Sequence, residues 1–190
     1  GIFRIFGRDS GFTALYTAYV ASLRCCIPEA PFDLEELIDL LIADKKGNPS
    51  SYSLVVLSEG ATWKGREIED INAHGPRKRP NVAEAFSEEL TMRTGEGTVV
   101  SDLTYDLRAG APDFTDKMIA CTFANMAMEC IRDGARGRMM AIQNGCYKDA
   151  DLPDPAKGPR KVDVARMYNA ERYRPSYRHK NHLPIFLTHA

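Results

Sequence analysis

The sequence of 190 residues predicts an α/β fold, a three-layer sandwich in which a mostly parallel sheet lies between helices. Three observations carry that expectation. Short β-rich runs alternate with helix-period segments from Ile2 to about Ile142. The first run is joined to the first helix by a tight turn with glycine at both ends, Gly7 to Gly11. The strand–helix–strand spacing of the opening residues suits a right-handed parallel crossover.

Ile2 to Phe6 alternates bulky and basic side chains in the manner of a strand, and Phe12 to Arg24, free of glycine and proline, reads as a helix. Apolar and small residues on nearly every side of that helix predict burial between layers. In the turn between them, Gly7 allows a sharp reversal, and Asp9 or Ser10 can cap the first helical N–H groups. A helix N-terminus beside the Arg8 guanidinium is a candidate phosphate or carboxylate pocket, and equally a plain turn with a surface arginine. Cys25-Cys26-Ile27 reads as a short inner strand stopped by Pro28, followed by Glu29 as a loop carboxylate or a ligand at the strand's carboxyl end.

Asp33 and Glu36 have the spacing of a capping box, and Leu34, Leu37, Ile38, Leu41 and Ile42 then recur at helical spacing as core residues up to Gly47. Tyr52 to Leu57 predicts a central buried strand that delivers Ser58-Glu59-Gly60, where a carboxylate can accept hydrogen bonds from hydroxyls. Thr62 to Pro80 is a polar loop carrying Arg77-Lys78-Arg79, read as solvated surface. Ala83 to Met92 predicts a helix closed at Gly95 and Gly97, and Thr98 to Leu103 a strand. Asp113 caps the longest helix, with Asp116 one turn in. Two rows at four-residue spacing, from Met118 to Cys130 and from Ile119 to Ile131, read as core. Gly134 and Gly137 end that helix, and Met139 to Ile142 forms the last short strand. From Gly145 the chain turns polar and proline-rich, so residues 1–144 are expected to form the α/β domain and 145–190 a tail that packs on it or on a partner subunit.

Composition is that of an ordinary globular chain: 44% hydrophobic, 27% charged, formal net charge −1. The charge gives no case for nucleic acid or an anionic membrane, and no apolar run reaches the roughly 20 residues that span a bilayer. Five cysteines without paired spacing argue against a disulfide framework and for a cytoplasmic setting. The four histidines, His74, His179, His182 and His189, read as solvated or structural, and no metal-ligand spacing is present.

Gly7-Arg8-Asp9-Ser10-Gly11 resembles the Met-Gly-Arg-x-x-Gly signature with which phosphofructokinases hold fructose 6-phosphate. Residues 27–32, Val55 to Ala61 and Leu103 to Asp113 match the same family in the same order. The wording Leu103-Thr104-Tyr105, Arg108 to Asp113, and the segment Val162 to Leu187 are most similar to the pyrophosphate-dependent branch. The resemblance implies a phosphofructokinase-like C-terminal domain whose sugar-phosphate site is made by Phe6, Gly7, Arg8, Glu59, Tyr105, Asp106, Leu107 and Arg108. It implies Arg8 as a candidate stabiliser of the transferred group, with the general base, the donor loop and most Mg2+ ligands in an N-terminal half outside this chain. Tyr105 stands where ATP-using relatives have histidine, and Val99 where they have an arginine that reaches a neighbouring subunit; Arg93 is one candidate replacement. Arg172, Tyr173 and Arg174 read as surface, with an approach to the phosphate site as the alternative.

The implied activity is transfer of a phosphoryl group from pyrophosphate to fructose 6-phosphate in glycolysis, by a homo-oligomer. An ATP-dependent enzyme and a non-catalytic sugar-phosphate-binding or regulatory subunit are the alternatives.

Overall fold

The structure, a computed structural model, describes residues 1–66 and 81–176. The Arg77-Lys78-Arg79 run and all four histidines lie outside the described residues. The chain forms two compact units, one of Gly1–Arg108 with the segment that begins at Arg160, the other built on Ala109–Pro159.

The first unit is organised by a four-stranded parallel sheet of β1 (Ile2–Ile5), β2 (Arg24–Cys26), β3 (Val55–Ser58) and β4 (Val100–Asp102), in the order β2-β3-β1-β4. Helix α1 (Phe12–Ala21) carries the chain from β1 outward to β2, and α3 (Val82–Thr94) carries it from β3 the other way to β4. Right-handed crossovers in opposite directions lie on opposite faces of a sheet, which gives the layered α/β architecture that the sequence predicts. β1 and β3 are therefore adjacent strands whose connections leave in opposite directions. The carboxyl ends of such a pair are where open α/β sheets form their ligand crevice.

Local chemistry explains most boundaries. Asp33 caps α2 (Leu34–Gly47) by accepting from the N–H groups of Glu35 and Glu36, and Asn81 caps α3 in the same way. Gly95 ends α3 in the left-handed region at φ 72°. The core comprises Leu37, Ile38 and Leu41 of α2, Val82, Ala83, Phe86 and Leu90 of α3, the sheet, and Phe32. Phe32 meets Phe86 edge-on at 5.9 Å and Tyr173 at 6.4 Å.

Helix α1 departs from expectation. It ends at Ala21, three residues before Arg24, because Ser22 turns left-handed and Arg24 already belongs to β2. It is not apolar-buried all round: Ala14, Leu15 and Ala18 are covered, while Tyr16 and Val20 are exposed. β2 is fully buried although it lies at the sheet edge, because the segment after Arg160 covers it. That segment holds α6 (Val164–Met167) and the antiparallel pair β7 (Tyr168–Asn169) and β8 (Arg174–Pro175). The Cys25 N–H donates to the Tyr173 carbonyl at 2.8 Å, and the Tyr168 hydroxyl donates to the Cys25 carbonyl at 2.6 Å. Arg24, 7% exposed, pairs with both oxygens of Asp44 and donates to the Arg172 carbonyl. Tyr173 is thus a buried residue, not a surface one: its backbone carbonyl and the Tyr168 phenol supply the hydrogen bonds that the edge strand lacks.

After β4 the short α4 (Asp106–Ala109) ends the first stretch of the first unit, and the second unit's α5 (Phe114–Arg132) opens with a complete capping box of Asp113 and Asp116. Met139 to Ile142 is not the last strand. It belongs to β5 (Arg138–Gln143), which pairs antiparallel with β6 (Cys146–Asp151) across a two-residue Asn144-Gly145 turn. Both turn residues have positive φ, 53° and 76°. The rows expected to be core on α5 are not buried. Ile119, Thr122, Phe123, Met126, Ala127 and Cys130 form a half-buried stripe, while Met118 and Ile131 are exposed. Among the described residues no helix is long and apolar enough to cross a membrane.

Candidate functional site

Two turns meet at the carboxyl ends of β1 and β3. The Gly60 N–H and the Ser58 hydroxyl both donate to the Gly7 carbonyl, at 2.9 and 2.7 Å, and the Glu59 N–H donates to the Ile5 carbonyl at 2.9 Å. The approach is too close for side chains. A Cβ on Gly7, whose φ is 137°, would lie 2.0 Å from the Ser58 hydroxyl, and one on Gly60 would lie 1.9 Å from the Arg8 carbonyl oxygen. The two glycines therefore bring Arg8 and Glu59 side by side.

Arg8 donates to Glu59 Oε1 from Nη2 at 2.9 Å and from Nε at 3.3 Å. Arg8 is 63% exposed and Glu59 only 14%. The hydrogen bond and the charge of Glu59 hold the Arg8 guanidinium's pKa above its ordinary value, so it stays a cation at any working pH. β4 supplies the third wall. After it, the Arg108 N–H donates to the Tyr105 carbonyl and closes α4, and the Arg108 guanidinium stacks 3.6 Å over the Phe6 ring. Phe6 thus links the Arg8 turn to Arg108. Tyr105 (84% exposed), in the turn before α4, and Asp106 and Leu107 in its first turn face solvent.

The structure brings Phe6, Gly7, Arg8, Glu59 and Arg108 together. One guanidinium stacked on an aromatic ring, and a second paired with a carboxylate on the adjoining turn, suit a ligand that carries both a phosphate and hydroxyls. The helix N-terminus has a different role from the one expected. α1 starts from Gly11 with no side-chain cap, and neither Asp9 nor Ser10 bonds it. Both oxygens of Glu29 instead accept from the Gly11 N–H, at 3.0 and 3.1 Å, and Glu29 Oε1 also accepts from the Val162 N–H at 2.9 Å. A helix N-terminus attracts the nearest carboxylate, and here the chain's own Glu29 takes the place of an external anion.

Other residues that sequence reasoning passed over also stand here. Lys161 donates to the Asp9 carbonyl, and Arg160 lies 5.3 Å over the Phe12 ring, so it is residues 160–161, not 172–174, that approach this turn. Arg4 and Asp102 extend the Arg8–Glu59 pair across β1 and β4. Proline-rich wording on both sides hid the first pair, and the strand period hid the second. Val99, 71% exposed, precedes β4 at the amino edge of the sheet, where its carbonyl accepts from the Ile2 N–H. Arg93 is committed to Glu35 and Glu89. Among the described residues no group of three or more His, Cys, Asp or Glu side chains is placed to hold a metal ion.

The model of the family described as phosphofructokinase matches residues 1–131. An ATP-dependent 6-phosphofructokinase of Brevibacillus brevis is 26% identical over 165 residues, covering 86% of this chain and 46% of that protein. A pyrophosphate–fructose 6-phosphate 1-phosphotransferase of Streptomyces coelicolor is 26% identical over 148 residues, 75% of this chain and 42% of that protein. The crystal structure of a pyrophosphate-dependent phosphofructokinase from Marinobacter aquaeolei superposes with a TM-score of 0.71 over 92% of this chain and 44% of that one. At 20% identity that likeness is one of fold. The chain spans about half the length of the curated relatives it matches. A family match that takes in the whole parallel sheet, the Arg8–Glu59 corner and most of α5 makes this chain a member of the phosphofructokinase family.

Proposed function

We propose that this chain is the sugar-phosphate-binding, C-terminal half of a pyrophosphate-dependent 6-phosphofructokinase. The observation that carries the reading is the convergence of Arg8, Glu59 and the Arg108–Phe6 stack at the carboxyl ends of β1, β3 and β4. In this reading Arg108 holds the 6-phosphate of fructose 6-phosphate by charge-assisted hydrogen bonds. Glu59 accepts from sugar hydroxyls, Tyr105 donates from the rim, and the Phe6-Gly7 backbone shapes the floor. Arg8, an exposed cation, leaves Glu59 to neutralise the transferring phosphoryl group. Phosphoryl transfer depends mainly on positioning and charge neutralisation, and these residues supply both for the acceptor.

The family reading implies Mg2+. Among the described residues no group of three or more His, Cys, Asp or Glu side chains is placed to hold it, and no step is assigned to it in this chain. The general base, the donor site and the metal ligands belong, in this proposal, to the other half of a longer, homo-oligomeric protein, and the 190-residue chain alone is inactive. An ATP-dependent enzyme is a second reading, favoured by the ATP-dependent relatives at similar identity. Initial rates of the full-length enzyme with pyrophosphate and with ATP separate the two.

Arg108→Ala in the full-length enzyme tests the site. Losing a charge-assisted phosphate contact costs on the order of 1.5–3 kcal/mol, so KM for fructose 6-phosphate rises roughly ten- to a hundred-fold while KM for the donor changes far less. An unchanged KM for fructose 6-phosphate removes Arg108 from the site.

A further inference from the structure

The Arg8–Glu59 pair has a second, inner cation. Arg4, the third residue of β1, is 14% exposed at its side chain. Its Nη1 donates to Asp102 Oδ2 at 2.5 Å, and its Nη2 stands 3.5 Å from Glu59 Oε1. Its Nε is buried without a hydrogen-bond partner among the described residues. Asp102 is itself fixed: its Oδ1 accepts from the Thr104 N–H at 3.1 Å and from the Thr104 hydroxyl at 2.7 Å. Thr104 is 6% exposed, and Asp102 faces Arg4 in the β1–β4 register. Burial pushes the Asp102 carboxyl's pKa up, but the hydrogen bonds from Thr104 and Arg4 outweigh it and leave it below the usual range. The result is a row, Thr104–Asp102–Arg4–Glu59–Arg8, in which the largely buried Arg4 and Glu59 lie between the more exposed Asp102 and Arg8.

We propose that Arg4, anchored by Asp102, is a positioning residue that holds the Glu59 carboxylate in place when Arg8 turns to the substrate. The inference rests on the sugar-phosphate reading of the site. The hydrogen bonds and ion pairs to Glu59 among the described residues all arrive at Oε1. Arg4 on Oε1 therefore leaves Oε2 to accept from a sugar hydroxyl. Arg8 is exposed and its two hydrogen bonds go to Glu59, so a phosphoryl group that attracts Arg8 takes away the outer counter-charge of a carboxylate that is itself largely buried. Arg4 cannot leave in the same way, because Asp102 and the strand hold it from behind. The inner cation then keeps Glu59 paired and aimed through the exchange.

The test separates the phosphate half of the ligand from its hydroxyls. In the full-length enzyme, KM for fructose 6-phosphate is compared with the inhibition constant of methyl phosphate, a competitor that has the phosphate and lacks the sugar. Arg4→Gln is expected to raise KM about tenfold and to move the methyl phosphate constant by less than about twofold, the size of one charge-assisted contact against none. Combined with Glu59→Gln it is expected to add little, because both variants disable the same carboxylate. Asp102→Asn, which keeps the Arg4 charge and loosens its anchor, is expected to give a smaller rise of the same kind and keeps the test decisive should Arg4→Gln not fold. Equal rises in both constants, full additivity with Glu59→Gln, or no rise in KM overturns the role given to Arg4. A parent enzyme that does not bind fructose 6-phosphate overturns the underlying sugar-phosphate reading instead, and that result is visible before any variant is made.

Discussion

The two compact units of this chain solve the burial problem differently. In the first, Leu15, Phe32, Leu37, Leu57 and Phe86 are all fully buried, and even the edge strand β2 is covered by Tyr168 and Tyr173. In the second, from Ala109 to Pro159, no residue is buried. Its principal element, α5, has a continuous apolar stripe that is only half-covered, with Phe123 meeting Tyr147 edge-on at 5.9 Å as its main aromatic contact. A single helix and a two-stranded hairpin lack the area to make a core. The difference teaches that a helical pattern announces an apolar face but not what covers it, and a face can be written for a surface outside its own unit.

The largest expected effect contrasts the two units directly. Phe86→Ala removes a fully buried ring packed edge-on against Phe32, and is expected to cost about 3–5 kcal/mol. Phe123→Ala on the half-covered stripe is expected to cost about 1 kcal/mol. The one tryptophan, Trp63, lies 5.8 Å from Phe32, so its fluorescence during urea unfolding reports the first unit, while circular dichroism follows both. Comparable losses for the two variants would break the comparison, by showing that α5 has a core of its own.

What was legible in the sequence follows the same division. Local signals were faithful: Asp33, Asp113 and Gly95 mark helix ends where they were expected, and the β1 turn with Gly7 stands at the head of the site. Non-local partnerships were not. Nothing near Tyr173 in the sequence says that its hydroxyl will stand between the Asp33 N–H and the Glu36 carboxylate, replacing the direct bond of a capping box. Glu29 could be placed beside the site, but not recognised as the cap of α1, because its partners Gly11 and Val162 lie 18 and 133 residues away. The β5–β6 hairpin was missed although its signal was present: Asn144-Gly145 is the strongest short hairpin turn, and it was read as the start of a polar tail. For the site, the arginines and Glu59 were readable as charges at strand ends, while the inner pair of Arg4 and Asp102 was masked by their positions within strands.

A smaller effect sharpens the picture of how the first unit seals its edge. Tyr173→Phe leaves the Asp33 N–H without its acceptor and Glu36 without its donor, and is expected to cost about 1–3 kcal/mol. It also bears on pH. Burial, above all, raises the pKa of Tyr168 and Tyr173 above the ordinary phenol value, with the Glu36 hydrogen bond adding to the rise at Tyr173. A group whose pKa is higher in the folded state keeps its full contribution below the unfolded value, near 10, and loses it as pH rises, because the unfolded chain releases the proton first. Burial raises the Cys25 and Cys26 thiols in the same way, so stability of the first unit is expected to be flat across neutral pH and to fall from about pH 9 upward, less steeply above about pH 10 in Tyr173→Phe. A steep fall between pH 7 and 9 would assign the loss to some other group.

The smallest stability effect is expected on the second unit's exposed face, and it is the most direct probe of what that face is for. Ile131 is 67% exposed in the last turn of α5, and Met128 one turn earlier is 64% exposed. Ile131→Lys removes apolar surface that already touches water and places a cation at a helix C-terminus, where the dipole favours it by a few tenths of a kcal/mol. Stability measured by urea unfolding is therefore expected to change by no more than about 0.5 kcal/mol. Exposed apolar faces of this kind mark interfaces, so the same substitution is expected to shift the purified chain toward smaller species in sedimentation. A loss beyond about 1 kcal/mol would mean that Ile131 packs within the chain, against its exposure. An unchanged distribution of species with unchanged stability would show that this face makes no contact between copies of the chain.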